Sequence, residues 1–423
     1  MMIRGELMAA KGDMKILHLL SQLPGATGSG IYLQALLRHA AGHGYRNYLL
    51  AGVPDDFEHE RENQALASHE FCAVRFGRDL PFPIVGMSDV MPYPSRRFSD
   101  LSPAELHLYE DCFENCLADA VARWQPDLIH SHHLWLLTSL ARRKYPEIPM
   151  LVSCHGSDLR QFVSCPHLQP VVLEGCRKVD GVCALSRAQQ QEIHRLYGIG
   201  SDRIHLVGAG FDAKVFYPAK KRTDEPIQIV YAGKLSRAKG LPWLLRALLQ
   251  MADQPFRFHL VGDGDGPEKR EALALAGQLG DKVRIHGKLT QQQLADLLRQ
   301  SELFVLPSFF EGVPLVLLEA LACGCRLVAT ELPGVQELFS GVTTRGWVEL
   351  VKLPEMVSLD VPSPDGEESF VAALRGAVEV QLKAVAADCS ADCPQALQKL
   401  LETLTWGATF RKVEALYQRL FVE

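Results

Sequence analysis

Short β-rich runs alternate with helical periodicity along this chain, and the alternation is completed twice. "KILHLLS" (15–21), "NYLLAGV" (47–53), "DLIHSH" (127–132), "MLVSCH" (150–155), "GVCALS" (181–186) and "RIHLVG" (203–208) form a first series of strand candidates. "IQIVYAG" (227–233), "FRFHLVG" (256–262), "KVRIHG" (282–287), "ELFVLP" (302–307) and "CRLVAT" (325–330) form a second. Helical spacing lies between strands, as in Leu33, Leu36, Leu37 and Ala40, or in the capping box of Thr290 and Gln293. Strands separated by helices imply a parallel sheet covered on both faces. A polar, Pro-containing stretch (211–228) divides the two series and reads as a linker. The expected fold is α/β: two doubly wound parallel-sheet domains, 14–212 and 213–400, facing an interdomain cleft. Residues 1–13 read as an N-terminal extension. Residues 401–423 read as a C-terminal amphipathic helix returning to the first domain. Residues 341–365 show no regular pattern. Open parallel sheets bind ligands beyond the carboxyl ends of their strands.

Hydrophobic residues make up 47% and charged residues 22% of the 423-residue chain, which places it among globular proteins. No apolar run reaches the roughly 18 residues of a membrane span, and residues 1–13 lack a signal-peptide layout. A net charge of −6 argues against a nucleic-acid partner. Two basic runs, Arg142-Arg143-Lys144 and Lys220-Lys221-Arg222, read as a solvated helix end and a linker, with peripheral contact to anionic lipid as the alternative. The eleven cysteines lack zinc-site spacing and are expected to be reduced thiols of a cytoplasmic protein.

The stretch "SFFEGVPLVLLEALACG" (308–324) carries two carboxylates, Glu311 and Glu319, inside an apolar run. Pro314 suits the first turn of a helix and Gly324 the position just after its end. Glu311 then lies in the loop before the helix and Glu319 more than a turn inside it. Buried carboxylates are costly unless hydrogen-bonded, and ligand hydroxyls satisfy them well. Two glutamates held by local backbone donors are the plainer alternative.

This E-x7-E arrangement resembles the signature of the family-4 retaining glycosyltransferases, whose GT-B fold pairs two Rossmann-like domains. "YAGKLSRAKGLPWLLRAL" (231–248), "HLVGDGDGPEKREAL" (259–273) and "IHGKLTQQQLADLL" are similar to further motifs of that family. "PDLIHSHHLW" and "VSCHGSD" resemble its N-terminal strand ends, so the resemblance spans roughly residues 14–340.

The resemblance implies a retaining, metal-independent hexosyltransferase. Its substrates are a nucleotide sugar, UDP-linked sooner than GDP-linked, and a saccharide or lipid-linked acceptor of cell-envelope polysaccharide synthesis. The enzyme is expected to be a monomer or weak homodimer without cofactor. Glu311 would hold the donor sugar, Glu319 the ribose hydroxyls, and Lys234 and Lys239 the diphosphate. His155 would lie near the anomeric carbon. Gly28, Gly30, Gly233, Gly262, Gly264, Gly287, Leu289, Gly312, Val313, Pro314 and Leu315 would line the donor. His132 and Asp158 fall on the acceptor side, and residues 82–113 would shape the acceptor. Two departures stand out: lysine at 234, where the family often has arginine, and Ala209-Gly210, where it commonly has Asn-Gly. A sugar phosphorylase or nucleotide-sugar epimerase is the alternative enzyme, and a non-catalytic nucleotide-sugar-binding subunit the alternative of another class. The missing G-x-G-x-x-G loop disfavours a dehydrogenase. No Asp-x-Asp metal pair is identified at a strand end, so a chelator is expected to leave turnover unchanged; complete loss would overturn this.

Overall fold

A computed structural model describes residues 14–25, 27–58, 70–89, 91–221, 226–311, 314–344, 346–358, 361–388 and 393–422. The expected N-terminal extension, Arg222 and the site candidates Gly312 and Val313 lie outside the described residues. The chain divides into two compact units. One comprises residues 1–209 with 406–423, the other 210–405. Residues 401–405 therefore stay with the second unit, and the returning segment is the helix Trp406–Val422.

The first unit holds β1 (Lys15–Leu20), β2 (Arg46–Pro54), β3 (Glu70–Phe76), a minor pair β4 (Val85–Gly86) and β5 (Arg96–Arg97), then β6 (Leu128–His132), β7 (Met150–Ser153), β8 (Gly181–Ala184) and β9 (Ile204–Leu206). Its seven-stranded sheet has the order β3-β2-β1-β6-β7-β8-β9, and each adjacent pair is parallel. The second unit holds β10 (Ile227–Ala232), β11 (Phe256–Val261), β12 (Val283–Gly287), β13 (Leu303–Leu306), β14 (Arg326–Thr330) and β15 (Val348–Val351). Its parallel sheet has the order β12-β11-β10-β13-β14-β15. Each unit has its own large apolar core. The strand order reverses direction at β1 in one sheet and at β10 in the other. A cleft opens at such a switch point, beyond the strands' carboxyl ends.

Two strands of the large sheets escape the sequence pattern. β3 contributes "EFCAVRF" with only partial burial, and β15 lies in the stretch that read as irregular. Both are edge strands, which need less apolar sequence than central ones. The cysteine expectation also needs correction. Cys72 on β3 and Cys116 on the helix Pro103–Trp124 form a disulfide, while Cys112, Cys154, Cys165, Cys176, Cys183, Cys323 and Cys325 are free.

The basic run Arg142-Arg143-Lys144 is spent on internal partners. Arg142 pairs with Asp180 at 2.9 Å, Arg143 with Glu110 at 3.2 Å, and Lys144 with Glu114. Lys221 donates to the carbonyls of Leu298, Ser301 and Cys323, which makes it a clamp within the second unit. Arg142, Arg143, Lys144 and Lys221 are thus engaged by partners within the protein. Among the described residues, no helix is long and apolar enough to cross a membrane.

The helix Trp406–Val422 completes the first unit. Tyr417 lies 2.6 Å from His130 Nδ1, Glu414 accepts from Tyr45 at 3.2 Å, and the Trp406 ring meets Tyr32 edge-on at 5.3 Å. In the second unit, the turn after β10 closes against the strand end of β13. Gly240 has φ +68°, and a Cβ there would collide with the Pro307 carbonyl oxygen. Gly240→Ala is expected to cost roughly 2 kcal/mol or more through strain and overpacking. Urea unfolding checks this, and an unchanged midpoint would contradict it.

Candidate active site

Three loops at the switch point of the second sheet are bound to one another. After β10, Gly233 N donates to Val261 O at 3.1 Å and Leu235 N to Asp263 O at 3.0 Å. After β11, Gly262 N donates to Gly287 O at 2.8 Å. Gly262 has φ +128°, and a Cβ there would strike the Gly233 carbonyl. A Cβ on Gly264 would press on Leu235, and one on Gly233 on the Tyr231 hydroxyl. These glycines are thus accounted for by backbone packing around the loops. Gly287, at φ +68°, ends β12, and Leu289 packs on the core beyond it.

The same turn carries the lysines. Phe309 N donates to Ala238 O at 3.0 Å, which fastens the loop after β13 to the 237–239 turn. Lys239 there forms an ion pair with Glu311, whose carboxylate also accepts from Ser308 Oγ at 3.0 Å. Lys234 lies half-buried at the end of β10, and its carbonyl accepts from the Tyr231 hydroxyl at 2.6 Å. Burial, then the nearby Glu311 charge, holds that hydroxyl un-ionised. Thus Lys234, Lys239 and Glu311 all stand on the loops following β10 and β13, the two strands at the switch.

Pro314 caps the helix Leu315–Ala322 and does not open its first turn: its ψ of 107° is extended. Leu315 begins the helix, half-buried, and Gly324 follows the C-cap with φ +80°. Glu319 lies inside the helix and is 7% exposed. Among the described residues its carboxylate accepts no hydrogen bond, and burial pushes its pKa up to about 7. The two glutamates therefore differ: one is paired in a loop, the other is buried and easily protonated.

One expectation fails here. An Asp-x-Asp pair does stand at a strand end: Asp263 and Asp265 follow β11. Asp263 pairs with Lys269 at 2.6 Å and accepts from Gly264 N at 2.9 Å, and these contacts hold its pKa below the usual range. Asp265 is the N-cap residue of the helix Gly266–Gly277.

The first unit gathers histidines at the end of β6. His132 Nδ1 lies 3.3 Å from His155 Nε2, with the rings stacked at 5.5 Å. His130 and His18 stack beside His132, at 4.8 and 6.0 Å. His133, turned out of the strand at φ +83°, lies 5.0 Å from the His155 ring. Burial comes first in holding His130, His132, His133 and His155 below the usual imidazole pKa, so these rings are neutral near pH 7. His18, His130 and His132 bring ligand atoms within 4.8 Å of one another. His130, however, spends its ring nitrogens on Tyr417 and on Ser153 at 2.9 Å.

Asp158 has a different task from the acceptor-side role expected of it. It is fully buried, and its carboxylate accepts from the backbone amides of Leu134 (2.9 Å), His155 (3.2 Å) and Gly156 (2.8 Å). It positions His155 and is itself fully occupied. Gly28 opens the helix Gly28–Gly42, capped by Thr27, with open space where a Cβ would be. Gly30 packs directly on the Gly25 backbone. Gln22, beyond β1, donates to Ser29 Oγ at 2.9 Å and accepts from Met87 N at 3.1 Å; sequence reading missed this tie.

Comparison with known proteins accords with this architecture. Residues 26–215 match the model described as Glycosyltransferase Family 4, and residues 226–358 that described as Glycosyl transferases group 1. A candidate teichuronic acid biosynthesis glycosyltransferase, TuaC of Bacillus subtilis, is 31% identical over 227 residues, which cover 51% of this chain and 55% of TuaC. The chain thus spans little more than half of that relative's length. Sucrose-phosphate synthase from Thermosynechococcus elongatus has a similar fold: TM-score 0.71 at 19% identity, covering 96% of this chain and 99% of that one. Anabaena HepE in complex with UDP and glucose superposes with TM-score 0.65 at 16% identity, covering 96% and 100%. At these identities the solved structures bear on the fold alone.

The raised pKa of Glu319 has a measurable consequence. Between its ordinary value of 4.5 and about 7, the folded state holds a proton that the unfolded state has released. Stability therefore falls as pH rises through that window, by about 3 kcal/mol at most. Glu319→Gln is expected to remove this dependence. Denaturant unfolding of both proteins at pH 5 and pH 8 checks it, and parallel pH profiles would refute it.

Proposed function

We propose that this chain, which carries the two domains of a family-4-type glycosyltransferase, transfers a hexose-type sugar from a nucleoside diphosphate, UDP in the first instance, to a saccharide or lipid-linked acceptor. The observation that carries the reading is the grouping of Lys234, Lys239 and Glu311 on the loops after β10 and β13, with Glu319 in the following helix. Cations there match the group whose charge grows in the reaction. As the bond from the anomeric carbon to the diphosphate oxygen breaks, negative charge collects on the diphosphate. Fixed positive groups aimed at that charge stabilise the transition state more than the ground state.

In this reading the donor replaces an existing partner. The diphosphate draws Lys239 from Glu311, and Glu311 then accepts from the sugar hydroxyls. The acceptor hydroxyl attacks on the face that the diphosphate leaves, giving retention. Its proton passes to a diphosphate oxygen, so the products are a glycoside and a protonated nucleoside diphosphate. No carboxylate is asked to act as a nucleophile. His155, held by Asp158, is the first-unit residue assigned to the reaction. The two lysines supply the charge neutralisation that a metal would otherwise bring.

Glu319 would accept from the ribose hydroxyls. Those donors favour its ionised form, so binding is expected to release a proton near pH 7. Calorimetry of UDP binding in buffers of different ionisation enthalpy measures that release, and UDP affinity should rise from pH 6 to pH 8. Glu319→Gln should abolish the release. Lys239→Ala is expected to lower turnover by about 10²–10³. Product analysis with UDP-, GDP- and ADP-sugars tests the reaction itself: free nucleoside diphosphate with a new glycoside supports it. UDP binding that is proton-neutral and unaffected by Glu319→Ala would remove the ribose assignment.

A further inference from the structure

At the amino ends of β10, β11 and β12, opposite the loops just described, one face of the second sheet is polar. Gln228 is the register partner of Arg257, and His259 that of Arg284. Side chains of partnered residues in a parallel pair share a face, so Gln228, Arg257, His259, Arg284 and His286 stand together. The other face of the same strands carries Phe256, Phe258 and Leu260 in the core. Sheets of this class are ordinarily apolar on both faces, so the polar row needs a reason.

Gln228, Arg257, His259 and Arg284 of this row line a cavity of about 420 Å³, with Gln300 and Ser301, just after the helix Gln291–Arg299, on another wall. Its charge is one-sided. Among the described residues, neither the Arg257 nor the Arg284 side chain forms an ion pair or hydrogen bond. His259 is held between Gln228 Oε1 at 2.7 Å and His286 Nε2 at 2.8 Å. Burial, and then the charges of His286, Arg284 and Arg257, lower its pKa to about 4. Glu302, just before β13, accepts from the Gln228 backbone amide at 2.7 Å. Two guanidinium forks on adjacent strands with no acid to pair them present the geometry that chelates a phosphate.

We propose that this cavity binds the phosphate of a small soluble phosphomonoester, with Arg257 and Arg284 as its two charged ligands. The site is separate from the donor loops, being at the other end of the same strands. The volume admits a sugar-sized body beyond the phosphate, and a recess walled by Leu297, Gln300 and Ser301 suits a small molecule better than a membrane surface.

Calorimetric titration with glucose 6-phosphate and with inorganic phosphate, at constant ionic strength, tests the proposal. Wild type and Lys239→Ala should both bind saturably. Arg257→Gln combined with Arg284→Gln should bind about tenfold more weakly or worse while keeping the wild-type circular-dichroism melt. If the double variant melts early, Arg284→Gln alone, at an exposed position, is the variant to read. The proposal is overturned if wild type shows no saturable binding. It is equally overturned if the arginine variants bind normally while Lys239→Ala does not, which would place the phosphate at the donor loops. Binding to phosphatidylglycerol vesicles that depends on the two arginines, without binding of glucose 6-phosphate, would overturn the soluble ligand.

Discussion

Gly240 has no side chain, and the arrangement of the second unit's site depends on that. Its backbone lies against the Pro307 carbonyl in a conformation that favours glycine. The close approach lets the loop after β13 bond to the 237–239 turn, and so brings Lys239 onto Glu311. Any side chain at 240 pushes these loops apart. Gly262 does the same for the loops after β10 and β11, with its amide on Gly287 and its Cα on Gly233. The charged residues are thus placed by contacts between backbones that carry no charge.

The two glutamates show how one residue type serves two purposes. Glu311 is paired with a lysine and a serine hydroxyl. Glu319 finds no such support among the described residues, and burial raises its pKa to about 7. Lysine at 239 suits an exchange of partners, since a flexible ammonium moves between acceptors more readily than a guanidinium fork fixed by two bonds.

Much of this was legible because the periodic signal is strong wherever an element is buried on both sides. Every central strand fell within the apolar runs, while β3 and β15, at sheet edges, did not. Glu311 outside the helix and Glu319 within it followed from Pro314 and Gly324, although Pro314 proved to be the cap itself. What stayed hidden depends on residues far apart in the chain. Nothing in "VSCHGSD" says that Asp158 is consumed by the amides of Leu134, His155 and Gly156. The Cys72–Cys116 disulfide joins a strand to a helix 44 residues on. His18 reaches His130 and His132 only because β1 and β6 are neighbours in the sheet. The arginines at 257 and 284 each look like ordinary surface charges until register sets them on one face.

The first unit is assembled from two separate lengths of chain, and this bears on the order of folding. The second unit is continuous and holds every strand of its six-stranded sheet before residue 352. The first must wait for Tyr417, whose hydroxyl meets the buried His130 ring. During synthesis from the amino end, β6 therefore exists for nearly three hundred residues before its histidine acquires that partner. A nascent chain stalled before residue 406 would carry a finished second unit beside a first unit still missing one wall of its histidine cluster.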